Sequence, residues 1–276
     1  MISGILKELA KAPWSAWFGI VVIVIYILAA TFAPLIAPFS ETEIVGAQYE
    51  PPGETFILGT DSVGRDMFSR LIFGARNTVG IAFVTTILTF VIGGVAGLLA
   101  SSIGGWVDQA LSRLVDVLMA IPQLIFALLL LTILGTSILN LVIVIAFLDS
   151  TRVFRLSRAV ATNIVVMDFV EVARLRGEGL WWIIRKEILP NAMPPLVAEF
   201  GLRFCFVFLL IAALSFLGLG IQPPTADWGS MVRDNATLIS FNDPTPLYPA
   251  GAIALLTVAV NFVVDWMLHR SSGLKE

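Results

Sequence analysis

The stretch VGIAFVTTILTFVIGGVAGLLA, residues 79–100, contains no charged side chain. An α-helix of about 20 apolar residues crosses the ~30 Å hydrocarbon core of a bilayer. Lipid offers no hydrogen-bond partners to the backbone, so a single apolar segment within it must be helical. Residues 79–100 are therefore predicted to form a transmembrane helix.

Five further apolar stretches have the same character, and together they predict an all-α, polytopic membrane protein. The six predicted spans are 18–37, 79–100, 114–134, 138–154, 196–219 and 247–268. Pro122 is expected to kink the third span, because its ring removes a helical hydrogen bond. The first span could also be a cleaved signal peptide. Its core exceeds the usual 7–15 residues and no clear small-x-small site follows, so a retained anchor is favoured.

The composition agrees with a membrane protein. Hydrophobic residues make up 58% of the 276 residues and charged residues 13%, against about 25% charged in soluble domains. The one cysteine, Cys205, lies in an apolar run, which excludes a disulfide framework and a cysteine metal cluster. The net charge of −3 gives no indication of nucleic-acid binding, and no nucleic-acid partner is expected.

The distribution of Lys and Arg predicts the orientation of the chain. If the N-terminus is cytoplasmic, the inward segments carry Lys7, Lys11, Arg113, Arg152, Arg155, Arg158, Arg174, Arg176, Arg185, Lys186, Arg270 and Lys275. The outward segments then carry only Arg65, Arg70, Arg76 and Arg233. Positive charge accumulates on the cytoplasmic side of membrane proteins. Both termini are therefore predicted to be cytoplasmic, with the loops 39–78 and 220–246 facing outward.

The sequence contains no arrangement of residues typical of an enzyme. His269 is the only histidine, and the spacing His-Glu-x-x-His of metalloproteases does not occur. The phosphate-binding pattern Gly-x4-Gly-Lys-Ser/Thr is also missing, so the chain itself is not expected to bind ATP in this way. We predict no catalytic residue, no metal site and no cofactor in this chain.

A polar island, DFVEVARLRG at residues 168–177, interrupts the apolar sequence on the predicted cytoplasmic side. Asp168 and Glu171 have the spacing of a capping box that opens a helix at Phe169. Gly177 suits a left-handed helix end, and a second helix at 180–189 is expected to stop at Pro190. The apolar side chains predicted to face a docking partner are Phe169, Val170, Ala173 and Leu180. The alternative is an amphipathic loop that lies on the inner leaflet, held by its arginines.

The spacing Glu171-x-Ala173-x3-Gly177, followed by Leu189-Pro190, resembles the cytoplasmic coupling loop of ABC-importer permeases. That loop transmits motion from an ATPase subunit to the membrane helices. The resemblance implies coupling roles for Glu171, Ala173, Arg174, Gly177, Leu189 and Pro190. Small Ala173 would let a groove of the ATPase approach closely, and Arg174 with Arg176 would meet acidic residues there. Val172 departs from the family pattern, in which an alanine is usual.

Two outward stretches resemble the shorter permease subunit of dipeptide, oligopeptide and nickel importers. They are LGTDSVGRDMFSRLIFGAR at 58–76 and LGLGIQPP at 217–224, the latter followed by Asp227-Trp228-Gly229. The motif residues are Gly59, Thr60, Asp61, Gly64, Arg65, Asp66, Gln222, Pro223 and Trp228. The charged residues either fold the loop, with exposed ion pairs contributing ~0–1 kcal/mol each, or contact a binding protein. Trp228 is predicted to be a headgroup-level anchor or a docking residue.

The resemblance implies the type I ABC-importer permease fold and its organisation. Residues 1–78 would form a cytoplasmic tail, the first transmembrane helix and an outer loop. Residues 79–276 would form a core of five transmembrane helices with the coupling loop at 157–195. The implied partners are a second, related permease, two ATPase subunits that bind ATP and Mg, and an extracytoplasmic substrate-binding protein. The implied location is the inner membrane of a bacterium or archaeon.

The cargo remains open between a dipeptide, a longer peptide, an opine, nickel and another small solute. The alternative function is an ATP-independent secondary transporter or a channel subunit, which does not explain the island at 168–177. Among polar residues within the spans, Glu199 and Arg203 have the favourable i,i+4 order of a structural ion pair. Asp149, Asn261 and Asp265 are expected either to line a cavity or to bond neighbouring helices.

Overall fold

The computed structural model of the protein describes residues 12–271 of the chain. Within that range all regular structure is helical, apart from two isolated β-bridges between residues 44 and 66. The helices are α1 Trp14–Thr31, α2 Ala33–Ile36, α3 Met67–Gly74, α4 Gly80–Ile103, α5 Gly105–Met119, α6 Gln123–Leu134, α7 Ile138–Val165, α8 Asp168–Leu175, α9 Leu180–Ile183, α10 Leu189–Phe216, α11 Trp228–Asn235 and α12 Leu247–Ser271. π-Helical turns at Ala75–Val79 and Ile184–Ile188 join α3 to α4 and α9 to α10, and a 3₁₀ turn follows α11.

The all-α membrane class is confirmed. Four continuous helical stretches in the described part of the chain are long and apolar enough to cross a bilayer: Trp14–Thr31, Met67–Ile103, Leu180–Phe216 and Leu247–His269. The pair α5 and α6 makes a fifth if it counts as one span. The remaining predicted span, the fourth (138–154), lies in α7, whose 28 residues have the necessary length but include several charged side chains. The predicted number of six is consistent with these helices.

The third predicted span is broken rather than kinked. The α5 and α6 axes meet at 88°, and the break falls between Met119 and Gln123. Pro122 is the N-cap residue of α6. Proline has no N–H to donate to the preceding turn, and its ring clashes with the carbonyl four residues earlier. A helix that reaches Pro122 therefore ends there and a new one begins.

Contacts within the chain define two compact units. One combines Met1–Phe83, Thr136–Ile138 and Phe208–Glu276, and the other combines Val84–Gly135 and Leu139–Val207. The division of the chain at residue 78, which follows the organisation of the resembled family, stays a prediction.

In the first unit, α1 packs along α12. A side chain at Gly19 would collide with the Ala259 carbonyl oxygen and would lie 2.9 Å from a methyl group of Val263. The Tyr26 hydroxyl donates a hydrogen bond of 2.9 Å to the Ala252 carbonyl oxygen. The N-terminal membrane helix is therefore held by the C-terminal one.

In the second unit, α4 approaches α7 closely through two glycines. A Cβ atom at Gly97 would lie 2.6 Å from the Phe154 carbonyl oxygen, and one at Gly93 would collide with the Ser150 carbonyl oxygen. Gly93 and Gly97 have the Gly-x3-Gly spacing that lets transmembrane helices pack backbone to backbone. This contact fixes α4 against the helix that leads into the polar island.

Candidate coupling segment and outer-loop motifs

The short helix α8 begins at Asp168, and its N-cap residue is Met167, which forms no side-chain cap. The predicted capping box is therefore wrong. Asp168 and Glu171 both lie in the first turn. Their negative charges there interact favourably with the partial positive charge of the helix N-terminus. The helix starts one residue earlier than the capping-box pattern requires.

The end of α8 confirms the left-handed conformation predicted for Gly177, which has a φ of +80°. The Gly177 N–H donates to the Arg174 carbonyl at 2.9 Å, and the Glu178 N–H donates to the Ala173 carbonyl at 3.2 Å. These two bonds form a Schellman motif. A Cβ atom at Gly177 would meet no neighbour within 4 Å, so the backbone conformation alone favours glycine there.

One face of α8 is buried inside the chain. Val170 and Ala173 are completely inaccessible to solvent, which contradicts the prediction that they face a docking partner. They belong to a cluster that we call the coupling core: Leu98, Ala161, Ile164, Val170, Ala173, Ile183, Ile184, Ile188, Ala192 and Leu196. Small Ala173 therefore allows α8 to approach its own chain, and the amphipathic period of the helix turns these two residues inward.

The opposite face of α8 is open. Leu175 is 81% exposed and Val172 is 52% exposed, although both are large apolar residues, and Phe169 and Leu180 are each 40% exposed. The Arg176 guanidinium stacks on the Trp182 ring at 5.5 Å. In the sequence, Val172 stands out only as a departure from the family pattern. Its side chain is in fact part of the exposed apolar surface.

The second part of the island differs from the predicted helix 180–189. α9 passes through the π-helical turn Ile184–Ile188 directly into α10, and Pro190 lies in the first turn of α10 rather than ending a helix. Because the helical stretch Leu180–Phe216 is continuous, the N–H that Pro190 lacks removes one backbone hydrogen bond from it, two residues after the π-helical turn. Leu189 and Pro190 thus lie within the long helical stretch that starts at Leu180.

Three charged residues of the second unit form a group within or near the predicted spans. Arg203 Nε lies 2.7 Å from Glu199 Oε1, which confirms the predicted ion pair, and Arg203 Nη1 lies 3.6 Å from Asp149 Oδ1. The Gln123 amide also donates to Asp149 Oδ1 at 3.4 Å. Asp149 therefore bonds neighbouring helices, one of the two predicted alternatives.

The first outer motif is a folded, buried structure. The Asp61 carboxylate pairs with Arg65 Nε at 2.7 Å and with Arg70 Nε at 3.3 Å, and all three side chains are almost inaccessible. Asp66 caps α3 by accepting from the N–H and the hydroxyl of Ser69, at 2.8 and 2.6 Å. The prediction that the loop is folded by these ion pairs is confirmed, but the pairs are buried rather than exposed. Removing one partner would leave a buried charge, which is costly.

Backbone geometry explains the other residues of this motif. Gly59 and Gly64 have φ values of +75° and +90°, and a side chain at either would collide with a carbonyl oxygen. The Thr60 hydroxyl donates to the Ala47 carbonyl at 2.7 Å and accepts from the Glu50 N–H at 2.8 Å. Each of these residues holds the loop 47–60 in its fold.

The second outer motif is bound to the first. Trp228 is 1% exposed, and its indole N–H donates to the Leu71 carbonyl at 2.9 Å. Both predicted roles for Trp228, headgroup anchor and docking residue, are therefore wrong, because its ring fills the interior of the first unit against Tyr26 and Phe208. Gly74 leaves room for this ring, since a Cβ there would lie 2.5 Å from it.

The remaining residues of the second motif belong to this contact between the two outer motifs, which we call the joint. Asp227 caps α11, and burial raises the pKa of its carboxyl above the usual range. The Gln222 amide donates to the carbonyls of Gly218 and Gly220 at 3.1 and 2.9 Å, whereas the ring of Pro223 is exposed. Sequence reasoning missed Glu41, whose carboxylate accepts from the Ala226 N–H at 2.6 Å. No spacing pattern relates two residues 185 positions apart.

Comparison with known proteins agrees with this architecture. The profile of the family described as "Binding-protein-dependent transport system inner membrane component" matches residues 90–272. The chain belongs to this family. A second profile, the N-terminal transmembrane domain of oligopeptide transport permease C, matches residues 11–52. The protein is thus an inner-membrane permease subunit of a transport system and not an enzyme. In such importers ATP hydrolysis belongs to partner subunits.

Curated relatives cover nearly the whole chain. The dipeptide transport system permease protein DppC of Alkalihalophilus pseudofirmus is 34% identical, over 93% of this chain and 88% of that protein. The di/tripeptide transport system permease protein DppC of Pseudomonas aeruginosa is 34% identical, over 90% and 84%. A probable D,D-dipeptide transport system permease protein of Escherichia coli is 32% identical, over 89% and 83%.

Proposed function

We propose that this permease forms half of the translocation pathway of an ATP-driven importer for short peptides or a related small solute. The names of the relatives support the substrate class, since they are permeases for dipeptides, di/tripeptides and D,D-dipeptides. The observation that carries the coupling role is the two-faced packing of α8. One face lies in the coupling core, and the other exposes Val172 and Leu175.

This packing favours transmission of movement. The coupling core joins α8 to α4, α7, the Ile184–Ile188 turn and α10. Fully burying a valine such as Val170 stabilises the packed arrangement by about 1.5–3 kcal/mol. A partner that displaces α8 therefore moves the attached ends of α7 and α10 with it, because close-packed interiors transmit strain. Glu171, Arg174 and the apolar pair Val172 and Leu175 form the surface that the ATPase engages.

The proposed complex contains a second, related permease, two ATPase subunits that bind ATP and Mg, and an extracytoplasmic substrate-binding protein. Both termini and α8 lie in the cytoplasm, as the distribution of Lys and Arg predicts. The buried outer-motif side chains are unavailable to the binding protein. The exposed residues of the outer loop, 47–49 and 51–55, present the surface for that contact.

Cross-linking tests the coupling surface in the complete complex. A Leu175→Cys variant in a Cys205→Ala background is expected to cross-link to the ATPase subunit, and ATP is expected to change the yield. A Thr55→Cys variant is the matched control, because Thr55 is exposed on the predicted outer side. Cross-linking at Thr55 but not at Leu175 would reject the proposed coupling role of α8.

The alternative function, ATP-independent transport, is separated by reconstitution. The complex is expected to take up a radiolabelled dipeptide into liposomes only with ATP, the ATPases and the binding protein. The isolated chain is expected to give no flux. Substrate-specific flux through the isolated chain without ATP would favour a secondary transporter or channel instead.

A further inference from the structure

The second unit has an apolar groove between α4 and the helical stretch from α9 to α10. Its cavity has a volume of about 480 Å³. Phe90, Gly94 and Leu98 of α4 form one wall, and residues that include Trp181 and Val197 form the other. This volume lies in the range typical of ligand pockets. Its lining side chains are almost entirely apolar.

Gly94 shapes the groove on the α4 side. Its neighbours Gly93 and Gly97 press against α7, but a Cβ at Gly94 would meet only the Ser157 hydroxyl, at 3.9 Å. Close helix packing therefore does not require glycine at position 94. The missing side chain instead leaves the groove open at this point.

The groove also carries positive charge. Arg185 is the one charged residue in its lining, and Lys186, the next residue, adds a second exposed cation outside the lining. Both side chains are exposed, and neither forms an ion pair or hydrogen bond with any residue in the described part of the chain. Trp181, 55% exposed, contributes an indole of the kind enriched at the membrane–water interface.

We propose that this groove binds an anionic phospholipid, with an acyl chain along the apolar walls and the phosphate at Arg185, where Lys186 adds to the positive potential. An acyl chain matches the walls, and the phosphate supplies the negative charge that the two cations lack. Basic pockets between membrane helices on the cytoplasmic side are typical sites for anionic headgroups. The inference uses the predicted inward position of residues 157–195 but does not depend on coupling or on the cargo.

Quenching of tryptophan fluorescence tests this site in the complete transporter. The complex is reconstituted into phosphatidylcholine bilayers that contain a small fraction of a lipid with brominated acyl chains. This brominated lipid is phosphatidylglycerol in one series and phosphatidylcholine in the other. The signal of Trp181 is obtained by difference from a Trp181→Phe variant. Half-maximal quenching is expected at a fraction of brominated phosphatidylglycerol roughly tenfold lower than that of brominated phosphatidylcholine, because each cation attracts the anionic headgroup.

Three variants assign the result to the groove. An Arg185→Gln/Lys186→Gln double variant is expected to lose the preference for the anionic lipid. Arg113→Gln, which removes an exposed cation outside the groove, is expected to keep it. Gly94→Leu is expected to reduce quenching by both lipids, because its side chain fills the groove. Equal quenching of Trp181 by the two lipids would overturn the proposal. So would no quenching by either lipid, which would show that another subunit covers the groove.

Discussion

The Thr78 hydroxyl donates a hydrogen bond of 2.9 Å to the buried carboxylate of Asp227 and accepts one of 3.2 Å from the Trp228 N–H. Thr78 follows the first outer motif by two residues, so its side chain holds the second motif, about 150 residues later in the sequence, against the end of the first. The motifs are two halves of a single folded joint. Asp61, Arg70 and Trp228 are among the residues that hold this joint together, and their side chains are buried.

The first prediction concerns this joint. Thr78→Val keeps the shape of the side chain but leaves the Asp227 carboxylate and the Trp228 N–H short of a partner. Leaving buried polar groups unsatisfied costs about 1–3 kcal/mol. We expect a clearly lower melting temperature of the purified complex in detergent. Thr55→Val, the same change at an exposed position, should have almost no effect on the melting temperature. Equal effects of the two variants would show that the Thr78 hydrogen bonds do not stabilise the joint.

The second prediction concerns pH. Because burial raises the pKa of Asp227 above its ordinary value of about 3.9, its contribution to stability is fully present below that value. The contribution is lost as pH rises through the folded-state pKa. Asp227→Asn removes the titration and keeps a capping side chain. Relative to the parent, this variant should gain melting temperature as the pH rises above about 4, and a constant difference would contradict the raised pKa.

The third prediction compares adjacent glycines of α4. Gly93→Ala places a methyl group against the Ser150 carbonyl oxygen, whereas Gly94→Ala places it in ordinary contact, 3.9 Å from the Ser157 hydroxyl. Overpacking of this kind typically costs about 1–3 kcal/mol. We expect Gly93→Ala to reduce the yield and the melting temperature, and Gly94→Ala to leave both unchanged. The opposite order would show that α4 and α7 pack differently.

The fourth prediction concerns the Schellman motif. Gly177→Val forces a β-branched residue into a left-handed conformation that costs about 1–2 kcal/mol, and peptide uptake should fall while membrane insertion is retained. Gly179→Val is the matched control, since Gly179 has an extended backbone with a φ of −72° and an open Cβ position. Normal uptake and normal substrate-stimulated ATP hydrolysis in Gly177→Val would exclude the coupling role.

The fifth prediction concerns orientation. In a Cys205→Ala background, Thr55→Cys and Thr237→Cys should react with an impermeant thiol reagent added to intact cells. Leu175→Cys should react only after the membrane is opened. All three positions are exposed in the structure, so burial does not decide the outcome. The reverse pattern of labelling would invert the topology.

Local signals were the most predictable from the sequence. The left-handed Gly177 and the pair Glu199–Arg203 depend on a few neighbouring residues, and the structure contains both. The apolar runs likewise predicted helices, although not their ends. α10 begins seven residues before the predicted span, because the polar island continues directly into it.

The direction in which each side chain faces was less predictable. Trp228 and Ala173 both proved to be interior residues. Their burial depends on distant segments of the chain, and hydrophobicity alone does not separate a residue that packs internally from one that meets a partner. Asp61 shows the same problem, since a charged residue in a loop is ordinarily exposed but here lies between two arginines.

The joint between the outer motifs also has a consequence for biosynthesis. Leu71 and Thr78 leave the ribosome about 150 residues before Asp227 and Trp228, with which they bond. At about 5–20 residues per second, this interval is roughly 8–30 s. In the predicted topology the first outer loop lies outside the membrane during that time, without the contacts to Asp227 and Trp228. That topology implies that the loop is accessible to proteases and chaperones outside the membrane until the last outer segment arrives.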